Sequence, residues 1–329
     1  MERKIKITLM FAIFLVAAFS FLFTSHVQSA EKGSYPRKNI RIILFTSAGS
    51  SVDFIVRGTA PYLEKYLGTR LLLENMPGAD GTIAWNALYK ADPDGYTFAS
   101  IALPPFPAVE VLRGGVKWRA EEFTPVYAWA ADNQILFVNT ETYKTFDEFV
   151  KAAREETLTL GATGSGPSSS SLLAAALLAE QMKLKLRFVG FDGAGELLGA
   201  LAGKHIHSVI SMPQTAVGLV KGGKIRPLLS FATDADPVFP DIPTPKSLGY
   251  DIRPLPHIKA LAGPPKVLRA QVAVMESAFK KTLEDADYRK WAKDKNVFLI
   301  SMSADQLREE IRKECEILAK FDKYFQKMP

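Results

Sequence analysis

After residue 39 the spacing of apolar residues changes repeatedly, and each change marks an element. Ile40-Arg41-Ile42-Ile43-Leu44-Phe45 is a β-prone run that stops at Ala48-Gly49-Ser50-Ser51. From Val52 to Tyr66 apolar residues recur at helical spacing (Val52, Ile55, Val56, Ala60, Leu63), and Gly68 closes that helix. Leu71–Leu73 predicts a second strand, Asn75–Gly81 a turn-rich loop, Ile83–Lys90 a helix and Tyr96–Ala102 a third strand. This alternation predicts a parallel sheet joined by crossover helices. It resumes with strands over Gln134–Val138, Leu158–Leu160, Leu186–Val189, His205–Ser211 and Ile225–Phe231. Helices separate them: one opened by a Thr145/Glu148 capping box, Ser169–Met182, a short one ending at Ala202, and Thr215–Lys221.

Two segments join these units. Pro125–Ala131 leaves the first, and the Pro-rich stretch Asp234–Pro256 leads into a strand over Ile258–Ala262. Beyond Pro264 the pattern is helical: Lys266–Leu283, Asp285–Lys293, and a long helix opened by a Ser303/Gln306 capping box. These helices have no sheet of their own, so they most simply pack on the first unit. The expected organisation is an α/β fold of two lobes, with residues 31–132 plus 252–329 in lobe one and 133–251 in lobe two. The chain then crosses between lobes twice, which makes a two-strand hinge. A length of 329 residues suits two medium domains.

Composition narrows the class. Hydrophobic residues at 47% and charged residues at 23% are globular values. The net charge of +6 is spread along the chain without a basic run, so no nucleic-acid footprint is present. Arg3, Lys4 and Lys6 precede the apolar run Ile7–Phe23, and Val27-Gln28-Ser29-Ala30 follows with small residues. Residues 1–30 thus read as a secretory signal peptide, with an uncleaved anchor as the alternative. Its removal leaves a net charge of +4. The lone Cys315 lies at helical spacing with Leu307, Ile311 and Leu318 and reads as a small core residue.

Ligands of open α/β sheets bind beyond the carboxyl ends of the strands, and three such junctions stand out. The first is Thr46-Ser47-Ala48-Gly49-Ser50-Ser51-Val52-Asp53. Its small residues admit close backbone approach, the helix start offers unpaired N–H groups, and Ser47, Ser50 and Ser51 offer hydroxyls. The second, Thr163-Gly164-Ser165-Gly166-Pro167-Ser168-Ser169, repeats this design in lobe two. The third is Phe191-Asp192-Gly193, where Asp192 either caps a helix or faces the ligand. Each can be an ordinary capped turn; one in each lobe suggests two helix N-termini gripping a small anion.

The chain resembles the substrate receptors of tripartite tricarboxylate transporters, the Bug receptors, over nearly its whole length past residue 35. The carrying segments are Ala48-Gly49 with Asp53, Glu74-Asn75-Met76-Pro77-Gly78-Ala79-Asp80-Gly81, Ala91-Asp92-Pro93-Asp94-Gly95-Tyr96-Thr97, Gly164-Ser165-Gly166, and Asp241-Ile242-Pro243-Thr244. The resemblance implies a two-lobe periplasmic-binding-protein fold (Venus flytrap, type II-like) with two crossover hinge segments. It implies a periplasmic, monomeric receptor that captures a small carboxylate or related molecule and passes it to membrane permease subunits. It further implies that Ala48–Asp53 and Thr163–Ser169 grip a carboxylate. Departures from the family pattern fall at Gly49-Ser50, Phe191-Asp192-Gly193, Ser211-Met212 and Pro104-Pro105-Phe106-Pro107. A monocarboxylate with an apolar or aromatic body, or a zwitterion, fits these changes at least as well as a di- or tricarboxylate. A receptor of the same fold that signals to a membrane sensor is the alternative.

Enzyme signatures are missing from the sequence. No Gly-x-Ser-x-Gly elbow occurs, Gly199–Lys204 is a residue short of a phosphate-binding loop, and Gly164-Ser165-Gly166 lacks the third glycine of a dinucleotide site. His205 and His207 would share one face of a strand, but no Cys or acid accompanies them as a third ligand. His257 falls near the hinge. The expectation is a binding protein with no cofactor and no metal.

Overall fold

The computed structural model describes residues 35–163, 169–191, 193–232, 235–252 and 255–325, the last five as main chain only. The 1–30 segment lies outside them, and of the stretch 1–37 only residues 35–37 are described. Residues from Lys38 onward form one compact unit built on two sheets.

The first sheet has six strands in the order β11-β4-β10-β3-β1-β2. Its members are β1 (Ile40–Leu44), β2 (Leu71–Asn75), β3 (Thr97–Leu103), β4 (Thr124–Asp132), β10 (His257–Gly263) and β11 (Phe298–Met302). The second sheet, β7-β6-β8-β5-β9, comprises β5 (Ile135–Asn139), β6 (Leu158–Thr163), β7 (Leu186–Phe191), β8 (Ser208–Ser211) and β9 (Ile225–Ser230). Ten helices accompany them among the described residues: α1 (Ser51–Leu67), α2 (Thr82–Tyr89), a single turn α3 (Pro105–Ala108), α4 (Phe146–Glu155), α5 (Ser170–Met182), α6 (Ala194–Ala202), α7 (Pro213–Lys221), α8 (Arg269–Glu284), α9 (Ala286–Asp294) and α10 (Ala304–Phe325). The architecture is the two-lobe α/β type expected, but several details differ from the sequence reading.

The sheets are mixed. β10 runs antiparallel to both β3 and β4, and β5 runs antiparallel to both β8 and β9. β5 and β10 are the strands by which the chain enters each sheet from the other, so they lie against the direction of the parallel βαβ units. Pro125–Ala131 is no linker: it belongs to β4, which is buried throughout. The outward crossing is only Asn133-Gln134. A β11 strand, absent from the sequence reading, occupies the sheet edge with partly exposed residues. His205 and His207 precede β8 in exposed turns, and Nδ1 of His207 accepts from the Thr159 N–H at 3.0 Å, so they form no strand-face pair. Pro104–Pro107 is no open loop: α3 is buried and continues as a wider helical turn, Val109–Arg113.

Local signals act where the sequence places them. Thr145 and Ser303 cap their helices, accepting from the N–H of Glu148 (3.2 Å) and Gln306 (3.3 Å). Gly68 ends α1 in the left-handed conformation with φ of 68°. Cys315 is half-buried against the lobe-one core, and burial foremost pushes its thiol up to about 12. That core centres on Trp85, Phe106, Trp118 and Phe123, with the Trp85 and Phe106 rings 5.0 Å apart. Tight packing is preserved at the indole N–H groups: Trp85 donates to the Ser100 carbonyl at 3.1 Å and Trp118 to Asn86 Oδ1 at 2.7 Å.

The two crossings touch. The Phe231 N–H donates to the Gln134 carbonyl at 2.8 Å, and Asn133 Nδ2 donates to Asp236 Oδ2 at 2.7 Å. Beside them His257, the first residue of β10, stands opposite Asp132, the last of β4. Lys259, two residues on, is 1% exposed and ion-paired with Asp132, itself 3% exposed. Burial depresses the Lys259 ammonium, with Asp132 opposing. Burial works to raise Asp132, but Lys259 outweighs it and holds the carboxyl below its ordinary value. His257 is pushed down to about 3, by burial first and then by Lys259.

A second buried polar group lies where α1 meets the outer helices. The Thr59 hydroxyl donates to the Ile55 carbonyl at 2.7 Å and accepts from Trp129 Nε1 at 3.0 Å, leaving it to accept also from the Tyr288 hydroxyl at 3.0 Å. One donor and two acceptor sites are thereby all used.

Replacing Thr59 by Val strands two buried donors and is expected to cost about 3 kcal/mol in urea unfolding, whereas Thr59→Ser, which keeps the hydroxyl, should cost about 1 kcal/mol. His257 sets a pH window. Its folded pKa of about 3 lies below the ordinary 6.5, so the unfolded chain binds a proton in between that the native state refuses. Stability is therefore fully present above 6.5 and falls as pH drops toward 3, by about 2 kcal/mol between pH 7 and 5. Unfolding curves of His257→Asn at the two pH values should show that loss reduced.

Candidate functional site

The loop between β1 and α1 is shaped by one acid. Asp53 is 3% exposed; its Oδ2 accepts from the Gly49 N–H at 2.9 Å, and its Oδ1 accepts from Arg57 Nε at 2.8 Å and Asn75 Nδ2 at 2.9 Å. Asn75 also donates to the Thr46 carbonyl at 2.9 Å, so the bend of the loop is tied to the end of β2. Burial acts to raise the Asp53 pKa, and the bonds from Asn75, Gly49 and Arg57 together bring it below the ordinary value. Gly49 takes φ of 80°, a conformation that disfavours a side chain, and a Cβ there would meet open space.

A cavity of about 260 Å³ opens in front of this loop. Lobe one contributes Gly49, Ser50, Ser51, Phe54 and Ile55, lobe two contributes Met212, Gln214 and Thr215 at the start of α7, and Lys295, Asn296 and Val297 close the third side. Asp132 lines the bottom. The cavity therefore lies beyond the carboxyl ends of β1 and β8, between two helix N-termini. Gln214 spans the lobes: its Nε2 donates to the Asn296 carbonyl at 3.1 Å and approaches Asp132 Oδ1 at 3.4 Å.

The hydroxyls at the loop are already committed. Ser50 Oγ donates to Thr46 Oγ1 at 2.7 Å and accepts from the Asp53 N–H at 3.2 Å. Ser51 Oγ donates to Asp132 Oδ2 at 3.1 Å. With the Asp53 and Phe54 N–H groups bonded back to Ser50, the first-turn N–H groups of Ser51 and Val52 are those without an intrahelical acceptor.

Of the residues expected at the site, the structure gathers Gly49, Ser50 and Ser51 on the cavity wall. Ser47 and Ala48 are exposed on the loop outside that wall, and Asp53 shapes it from behind. In lobe two, Ser169 caps α5, accepting from the Leu172 N–H at 3.3 Å and donating to the Thr163 carbonyl at 2.5 Å. Thr163, Ser169 and Phe191 are half-buried and do not line this cavity. Phe191 packs with Leu197 and Ile206. Gly164, Ser165, Gly166, Ser168 and Asp192 lie outside the described residues.

Asp132, Phe54, Gln214 and the Lys295–Val297 segment were not singled out from sequence, and Met212 was marked only as a departure from the family pattern. A signal existed for the first: Asp132-Asn133-Gln134 interrupts an otherwise apolar run from Val126 to Val138. Lys259 is a lysine inside the apolar strand His257–Gly263, and such a group needs a buried partner. Among the described residues no group of three or more His, Cys, Asp and Glu side chains could hold a metal ion, and no helix is long and apolar enough to cross a membrane.

Comparison with known proteins places the chain. It is 28% identical over 267 residues to the UPF0065 protein in the gbd 5′ region of Cupriavidus necator, covering 79% of each. Its fold matches a TctC solute binding protein from Polaromonas, with a TM-score of 0.76 at 24% identity over 87% of this chain and 98% of the other. It also matches MatC from Rhodopseudomonas palustris, solved with bound malate, with a TM-score of 0.73 at 24% identity over 88% of this chain and 100% of the other. Residues 55–322 match the model of the tripartite tricarboxylate transporter family receptor, and the chain belongs to that family.

Proposed function

We propose that this protein is a periplasmic receptor that captures a small carboxylate-bearing molecule between its lobes and delivers it to the membrane subunits of a tripartite tricarboxylate transporter. The lobes assigned to this role are 31–132 plus 252–329 and 133–251, and residues 1–30 act as the export signal. The observation that carries the reading is the cavity between the α1 and α7 N-termini, beyond the carboxyl ends of β1 and β8. Helix starts favour anions there, and family membership and a related fold solved with malate agree with a carboxylate. Ala48–Asp53 grips the ligand from lobe one through main-chain N–H groups. Thr163–Ser169 and Phe191-Asp192 supply lobe-two contacts on closure.

Closure needs contacts that exist only in the closed form, because a ligand shifts an equilibrium only by its differential affinity. The Gln214 bridge to the Asn296 carbonyl joins the two lobes and is the contact assigned to this role. The site binds and releases its ligand unchanged.

The test is a thermal-shift screen of the purified protein against aliphatic and aromatic mono-, di- and tricarboxylates, amino acids and neutral compounds. A molecule that binds only the folded state raises the melting temperature with its occupancy. A shift confined to acids, with the acid recovered intact after long incubation, is expected; shifts only with neutral compounds, or conversion of the acid, would sink the reading. Gly49→Val should abolish the shift while costing about 1–2 kcal/mol of stability from the left-handed backbone.

A further inference from the structure

The acid at the bottom of the cavity determines what must accompany the carboxylate. Asp132 is 3% exposed, and the part that remains accessible lines the cavity. Its two oxygens differ. Oδ2 is occupied, accepting from Lys259 Nζ and from Ser51 Oγ at 3.1 Å. Among the described residues, Oδ1 has the long approach of Gln214 Nε2 at 3.4 Å. An ionised carboxylate has roughly four acceptor positions, so Oδ1 retains capacity toward the cavity. Covering such an acceptor without a donor is costly. A molecule that fills the cavity and presents a donor there uses that capacity.

Charge decides between the two obvious donors. Lys259 is 1% exposed and already neutralises Asp132. A ligand ammonium would bring a second cation against a carboxylate that Lys259 already balances, with Lys295 a further cation on the cavity wall, and the buried Lys259 cannot turn out to water to relieve it. A hydroxyl donates without bringing charge. Ser51 fixes the spacing: its side chain bonds Asp132 while its own N–H belongs to the α1 start. The Asp132 carboxylate and the first turn of α1 therefore meet at Ser51, which suits a ligand hydroxyl close to the ligand carboxylate. Phe54, Ile55, Met212 and Val297 leave apolar wall for the rest of a short carbon body.

Resting on the receptor reading above, we propose that the cavity selects a 2-hydroxy acid, whose hydroxyl donates to Asp132 Oδ1 and whose carboxylate lies at the first turn of α1. Lys259 is the positioning residue that makes Asp132 an acceptor for a neutral donor rather than a site for a cation.

The experiment is isothermal titration of the purified protein with three matched sets: propionate, lactate and alanine; succinate, malate and aspartate; 3-phenylpropionate, 3-phenyllactate and phenylalanine. In whichever set binds, the hydroxy acid should be tightest by at least about tenfold, the effect of one hydrogen bond to a charged acceptor. Equal affinity for the hydroxy acid and its donor-free partner, or tightest binding of the amino acid, would overturn the role of Asp132 and leave the receptor reading standing. Silence in all three sets would overturn both. Lys259→Met, checked for native circular dichroism, removes the cation that balances Asp132 and should move the preference from the hydroxy acid to the amino acid, whose ammonium takes its place. An unmoved preference in the folded variant contradicts the role of Lys259, and if that variant fails to fold the wild-type sets decide.

Discussion

Lys259 and Asp132 are charged groups on neighbouring antiparallel strands, β10 and β4, and both are almost wholly removed from water. Each alone would be prohibitively placed: deleting one partner of a buried pair costs about 3–5 kcal/mol because the other is left uncompensated. Their pairing occurs where the chain passes between lobes. Asp132 ends β4, Lys259 follows the return into β10, Ser51 joins from the start of α1 and Gln214 from the start of α7. The hinge strands, the lobe-one loop and the lobe-two helix thus share a single carboxylate. A buried ion pair is weak evidence for stability, since an apolar pair can pack as well. What an apolar pair cannot do is hold an acceptor at the bottom of a cavity with its charge already balanced.

The elements that pack on one lobe alone were the legible ones. The apolar spacing of α1, the capping signals at Thr145 and Ser303 and the run at Ile40–Leu44 each carry their own local cause, and the structure places elements there. The errors fall where the role of a segment depends on a distant partner. Pro125–Ala131 contains a proline and several alanines and reads weakly as a strand, yet it lies between β10 and β11, so pairing on both sides makes it one. β11 is short and half exposed, and it exists because β4 offers it an edge. The antiparallel sense of β5 and β10 follows from the two crossings and not from any pattern within those strands.

The site divides in the same way. Gly49, Ser50 and Ser51 were legible as a small-residue turn between a strand and a helix, a pattern shared with ordinary capped turns, and the structure sets all three on the cavity wall. Their chemistry was not. Hydroxyls that look like ligand donors in the sequence are spent on the protein, Ser50 within the loop on Thr46 and Ser51 on Asp132 at the end of β4. Asp53, one turn into the helix, resembles a ligand group and instead accepts from Gly49, Arg57 and Asn75. Hydrogen-bond capacity is finite, and only three-dimensional bookkeeping reveals which groups have any left. Asp132 and Lys259 are 127 positions apart, so nothing local connects them.

The departure at Pro104–Pro107 now has a physical consequence. α3 is buried, Ala108 packs with Leu173 of α5 and Leu318 of α10, and a small apolar gap among Pro104, Leu173, Leu177 and Leu318 continues that contact. The lobes therefore meet through mostly apolar groups on this flank, with the buried Glu314 side chain beside them. The open space lies on the other, between Gly49 and Met212. At about 260 Å³ it is at or below the lower end of small-molecule pockets, roughly 300 Å³. The apolar seam on one flank and the charge-balanced acid on the other thus leave one open space between the lobes, and under the proposal above it is Asp132, with its charge already met by Lys259, that sets the donor its ligand carries.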